Sequence, residues 1–323
     1  MTATEFNLGL RERFITVNET SYGTGGSLAS ALVIGKNMRV TQSWAQGFQE
    51  TLSAGNDRRY IDANVAGPLL LPYNIEFYPV DWRFLKYAFD ITSETGSTPT
   101  THTLDVGNTL QSFRAEWAKQ NSQGNQAFIT TGNVVTQMVI SFQKATGAGN
   151  DGFVNVNLGV LAQDYSSTSS VQGSISSLTD DPFQYRMVKL TLASNEIVEV
   201  NNGEMTIQQT INPNDSRYAN STLNRKIGEP IPTVFRIFGR FNINVKDTTY
   251  SDIWELAADL TGTNKLEFIR TSGSDEAVWT FTGMTVNPAS IGNTNIEGVD
   301  NVEFVWVAET VQVVTKDAIA NYD

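Results

Sequence analysis

Two stretches of this 323-residue chain carry the same succession of segments. NMRVTQSW from Asn37 aligns with EMTIQQTI from Glu204, and each runs into a long polar loop. The first loop holds Gly55, Asn56, Asp57, Arg58, Arg59 and Tyr60; the second holds Asn214, Asp215, Ser216, Arg217, Tyr218, Arg225 and Lys226. A proline step follows at Gly67-Pro68 and at Glu229-Pro230, then an apolar run, LLLPYNIEFYPV in one copy and IPTVFRIFGRFNINV in the other. The period next changes to that of a helix, in DWRFLKYAFDI from Asp81 and TYSDIWELAADL from Thr249. Two closing strands complete each copy: VVTQMVISFQ and FVNVNLGVLAQD correspond to WTFTGMTVNPAS and NVEFVWVAETVQVV. Met38 and Met205 lie 167 residues apart and Asp90 and Asp259 lie 169 apart, while Val154 and Val302 lie 148 apart because the first copy is longer around residues 95–124. Two unrelated β-patterned halves would share alternation; they would not share this order of strand, loop, proline step, strand, helix and strand pair.

The segments between loops are short and rich in Val, Ile, Phe and Thr, which predicts a mainly β chain with one short α-helix per copy. Hydrophobic residues at 40 % and charged residues at 17 % allow real cores and leave a surface poor in charge, as in a protein that assembles. Residues 164–182, DYSSTSSVQGSISSLTDDP, read as a linker or exposed loop. The expected division is a first domain with an N-terminal arm at 1–165, a Ser/Gly-rich linker at 166–182 and a second domain at 183–323.

Catalytic chemistry finds little to work with. There is no cysteine, hence no disulfide or thiolate site. The single histidine, His102 in TPTTHTL, reads as a solvent-exposed position in a flexible segment, and no serine stands in a G-x-S-x-G turn. YGTGGSLAS, residues 22–30, follows a plausible strand but lacks the Gly-Lys-Ser/Thr end of a phosphate loop, so a turn or arm is expected there. Asp180-Asp181 lacks a clustered partner for a metal. Trp44, Trp82, Trp117, Trp254, Trp279 and Trp306 could form a sugar-stacking platform, yet they sit beside other apolar residues and predict core or subunit contacts. A non-enzymatic protein with no cofactor and no metal is expected.

The formal net charge of −12 disfavours a broad grip on nucleic-acid backbone and suits an acidic surface past which DNA slides. MTATEFNLGLRERF has none of the parts of a signal peptide, and the apolar stretch around residues 65–73 is broken by two prolines, so a protein made in a cytoplasm and not spanning a membrane is expected. Arg58, Arg59, Arg217, Arg225 and Lys226 could meet phosphate, but Asp57, Asp62, Asp215 and Glu229 share their loops. Such mixed charge fits salt bridges to a neighbouring subunit as well as it fits a solvated loop.

The repeated unit, with GKNMRVTQSW, a polar loop containing GNDRRY and then DWRFLKYAF in one copy, and TIQQTINPND, GRFNINV and SDIWELAADL in the other, resembles the tail tube proteins of long-tailed bacteriophages and archaeal tailed viruses. The resemblance implies two tandem tail-tube-like β-sandwich or barrel domains, each flanked by a short α-helix, whose sheets join edge to edge into an inner barrel. It implies homotrimeric, pseudo-hexameric rings, with a hexamer as alternative, stacked into a tube around the channel through which genomic DNA is ejected. A tape measure protein and tail terminator and tail tip proteins would be the partners, the virion tail the location and the host cytoplasm the place of assembly. Residues 42–61 and 209–227, with Asp57, Arg58, Arg59, Arg217, Arg225 and Lys226, become candidates for contacts between rings, as do residues 1–14 and the tail after Lys316. Another β-rich virion component (baseplate, adhesin or decoration protein) and a β-rich hydrolase or sugar-binding protein are the rival expectations.

Overall fold

The computed structural model of the protein describes residues 12–51, 63–108, 110–121, 124–145, 152–172, 178–198, 200–213, 226–245, 258–291 and 300–322. Asp57, Arg58, Arg59, Arg217, Arg225, Trp254 and the helix expected from Thr249 lie outside the described residues.

The chain is mainly β, in two antiparallel sheets. Its first half contains β1 (Glu12–Asn18), β2 (Lys36–Gln42), β3 (Ala45–Thr51), β4 (Ala63–Tyr78), β5 (Asp90–Thr95), β6 (Thr100–Asp105), β7 (Phe113–Asn121), β8 (Gly124–Gln143), β9 (Asn155–Ala162) and β10 (Asp164–Thr168). The second contains β11 (Val188–Leu192), β12 (Asn195–Ile197), β13 (Val200–Ile211), β14 (Pro232–Val245), β15 (Ala258–Asp259), β16 (Asn264–Thr271), β17 (Asp275–Thr282), β18 (Thr285–Ile291), β19 (Asp300–Ala308) and β20 (Thr310–Asp317). The larger sheet runs β15-β18-β19-β14-β13-β8-β9-β4-β2, with β1, β3, β7 and β10 attached to it; the smaller runs β12-β11-β16-β17-β20-β6-β5. Period-two patterning makes these strands: Val311, Val313 and Thr315 of β20 are buried while their neighbours Thr310, Gln312 and Val314 point away.

One apolar core spans both halves. Trp82 of the first half packs against Phe268 and Trp279 of the second at ring-centroid separations of 4.9 and 6.4 Å. The halves repeat one another yet share a sheet and an interior.

Three local expectations change. The helix expected from Asp81 is a 3-10 turn, Arg83–Tyr87, because Phe84, Leu85, Lys86 and Tyr87 are all buried and leave no polar face for an amphipathic α-helix. The longer stretch in the first half is the hairpin β5–β6, which joins the second half's small sheet through β20. The proposed linker begins later than residue 166, since β10 occupies residues 164–168 and pairs with β8. Residues 22–30 form a turn and a short 3-10 segment, Leu28–Ser30, after β1, as expected of a glycine-rich turn.

Candidate functional site

The halves have the same strand order in the large sheet: β8-β9-β4-β2 in one, β18-β19-β14-β13 in the other. Register repeats with order. Arg39, Val40, Thr41 and Gln42 face Glu76, Ile75, Asn74 and Tyr73. Their counterparts Thr206, Ile207, Gln208 and Gln209 face Phe238, Ile237, Arg236 and Phe235. Ile75 and Phe77 face Leu158 and Val156, as Ile237 and Gly239 face Ala308 and Trp306. The closing strands therefore correspond at 150 residues, as Leu158 to Ala308, and not at the 148 expected; the two-residue difference keeps every side chain on its own face. Gly132, within β8, and Gly283, between β17 and β18, occupy the same bend with φ of 61° and 62°.

A seam joins the halves. β13 pairs antiparallel with β8, from Asn202 opposite Gln143 to Gln208 opposite Gln137. Since β13 is the counterpart of β2, and β8 of β18, unlike edges of equivalent units meet head to tail. Beside the ladder, Gln209 Nε2 donates to the Ala88 carbonyl at 2.9 Å. Among the described residues, the arrangement leaves β2 at one end of the sheet and β18 near the other, covered by the two-residue β15. Among the described residues no strand pairs with the far side of β2. Its inward residues Met38 and Val40 are only partly buried, whereas Met205 and Ile207, their counterparts in the seam, are 0 % and 1 % exposed. The sheet thus ends in an incompletely covered edge where its internal copy is complete.

The outward face of this sheet carries Lys36, Arg39, Arg236 and Arg240 against Glu76, Glu204, Asp259 and Glu303 among the described residues, with Asn, Gln, Ser and Thr between them. Among the described residues acid and base balance on this face. Arg240 sits between Glu204 and Glu303, 3.4 Å from each. Where the second half exposes Phe238, Val305 and Val307, the first has Glu76, Asn155 and Asn157.

His102 is neither exposed nor in a loop. It is fully buried in β6, because Thr100, His102 and Leu104 point inward and β6 is paired on both sides, with β5 and β20. Its Nδ1 lies 2.8 Å from Glu94 Oε1 and its Nε2 lies 3.0 Å from the Ile319 carbonyl and 3.4 Å from Asp317 Oδ1. Tyr322 stacks on the imidazole at 3.8 Å, donates its hydroxyl to Asp317 at 2.6 Å, and its carbonyl accepts from Lys86 Nζ. Burial, reinforced by Asp317, pushes the Tyr322 phenol well above its usual range, and burial raises the Asp317 carboxyl. With acceptors at both ring nitrogens and no solvent access, His102 has no geometry for a general base. The tail after Lys316, a candidate for contact between rings, is docked on its own chain through Tyr322.

Lys226 lies 2.6 Å from Asp164 on β10, so its ion pair is also internal. Arg270 anchors the region of Asp181, donating to the Asp181 and Val80 carbonyls at 2.6 and 2.9 Å and to Asp275 at 2.6 Å. Trp82, Trp279 and Trp306 are core residues and Trp44 and Trp117 pack against the core, which leaves them no sugar-stacking platform. Among the described residues no group of His, Asp and Glu converges as a metal site would, and no helix is long and apolar enough to cross a membrane. Sequence reading missed the seam itself, because alternation reports which face a residue occupies and not which strand lies beside it; the matching offsets of the two hairpins were the available signal.

No family model matches the chain, and no curated protein is similar to it.

Proposed function

We propose that the protein is the structural, non-enzymatic subunit of a viral tail tube, in which rings of tail-tube-like β-sandwich units stack around a channel for genomic DNA. The observation that carries this reading is the head-to-tail seam: two equivalent units join through unlike edges, and the outer edges are again unlike. Such a contact repeats until a ring closes, and closure covers edges that would otherwise invite aggregation.

Three chains supply six four-stranded units, or about 24 strands. At ~4.8 Å between strands and a tilt of ~40°, the closed sheet is roughly 50 Å across its backbone, ample for a duplex. Six chains would give about twice that diameter. The outward face lines the bore in this arrangement, and its described residues are balanced in charge, where net charge alone led to the expectation of an acidic lining. Polar amides and hydroxyls there let a polyanion pass without a lasting contact, and the apolar group Phe238, Val305 and Val307 gives a tape measure protein a surface before DNA enters. Tail terminator and tail tip proteins would meet the ends of the stack. The virion tail is the site of action and the host cytoplasm the site of assembly.

Negative-stain electron microscopy of the purified protein at high concentration tests this. Hollow rings or tubes with threefold or pseudo-sixfold end views and a wall near the stated diameter are expected. Discrete particles that never polymerise, even with tail initiation components present, would move the protein to another β-rich virion part such as a baseplate or decoration protein.

A further inference from the structure

We propose that β18 of one chain receives β2 of a second copy in the register of the internal seam, and that β15 occupies the β18 edge until it does. This rests on the self-assembly reading above and adds which edges meet and what guards one of them. In the internal seam Met205 faces Ile140 and Thr206 faces Val139. The counterparts of these four residues are Met38, Val286, Arg39 and Thr285, so Met38 of one copy faces Val286 of the next and Arg39 faces Thr285.

The two edges are in the condition this pairing requires. Met38 and Val40 are partly uncovered, and Gln42, counterpart of the Gln209 that bonds across the internal seam, is half-buried and donates to no described residue. Val286 and Thr285, by contrast, are engaged: Ala258 and Asp259 of β15 stand opposite them, and Thr285 Oγ1 donates to Asp259 Oδ1 at 2.7 Å. The first half shows the other state of the same segment. Phe89 and Asp90, counterparts of Ala258 and Asp259, leave β8 to β13, and Asp90 instead opens β5 opposite Asp105. The segment lies on the edge where the edge is vacant and off it where the edge is filled. A two-residue strand yields readily to a longer one adding to the sheet.

The cysteine-free chain makes the test clean. In the double variant Arg39→Cys/Thr285→Cys the two thiols of one chain stand about seven strand spacings apart, roughly 34 Å, far beyond disulfide reach. Mild oxidation should therefore give a ladder of covalent oligomers on a non-reducing gel, at least fivefold stronger than for the off-register pair Thr41→Cys/Thr285→Cys. The control Thr206→Cys/Val139→Cys should close within one chain and so report correct folding. Rings or tubes without the 39–285 ladder would overturn this pairing and leave the tube reading standing; a folded chain that stays monomeric, with the control disulfide formed, would overturn both. For the guard, Asp259→Ala should lower the concentration at which assembly begins severalfold, and an unchanged or raised threshold would remove β15 from that role.

Discussion

Both ring nitrogens of His102 face acceptors, Glu94 at one and the Ile319 carbonyl at the other. Replacing His102 with Ala removes both of these contacts and the surface on which Tyr322 stacks; a loss of about 2–4 kcal/mol in urea denaturation is expected, with faster proteolysis of the last residues. Burial also raises the phenols of Tyr73, Tyr87 and Tyr322 above their usual range. The unfolded chain then gives up these protons from about pH 10 while the folded chain keeps them. Stability is full below that pH and falls as pH rises beyond it. Melting temperatures measured from pH 8 to 11 should decline steeply at the upper end, and Tyr322→Phe should shallow the decline while lowering the plateau through the lost Asp317 hydrogen bond. The burial of His102 was present in the alternation of TTHTLD, where Thr100, His102 and Leu104 share a face. What obscured it was the run of Thr and Pro before it, which has loop composition but strand geometry once β20 lies alongside.

At the scale of elements, the bend shared by the halves is set by glycine, but the two glycines are not equally replaceable. A Cβ on Gly132 would meet Gln163 Cβ at 2.6 Å, close to the backbone, while one on Gly283 would meet the far end of the Glu309 side chain at 2.4 Å. Both positions have positive φ, which costs a substituted residue about 1–2 kcal/mol. Gly283→Ala should cost little more than that, since Glu309 can swing aside. Gly132→Ala should cost at least about 2 kcal/mol because overpacking is added, a difference readable from paired denaturation curves. The order of elements was legible from the repeat, and so were the strands on either side of each polar loop. The 3-10 turn at Arg83–Tyr87 was not, because Trp82, Leu85 and Phe89 mimic a helical stripe until the burial of Phe84 and Lys86 shows that no side of it faces water. Nor was the crossing of β5–β6 to the other half, since a hairpin's own residues do not name the sheet that will accept it.

For the whole molecule, one core and one seam ladder tie together what the sequence divides at residues 166–182. Calorimetry should accordingly record a single unfolding transition, with calorimetric and van't Hoff enthalpies in agreement, where independent domains would give two. The same seam has a consequence for how the proposed ring would come together. Each free body that docks gives up translational and rotational freedom, at an estimated 4–15 kcal/mol. With two units carried on one chain, the proposed six-unit ring would gather three bodies and not six, and half of its joints would be closed by folding before any encounter takes place. Those joints cannot come apart by dissociation, so the proposed ring under outward load would have three places to open. Because the other three would be built from a different pair of edge sequences, their strength could drift in evolution without disturbing the fold of the subunit.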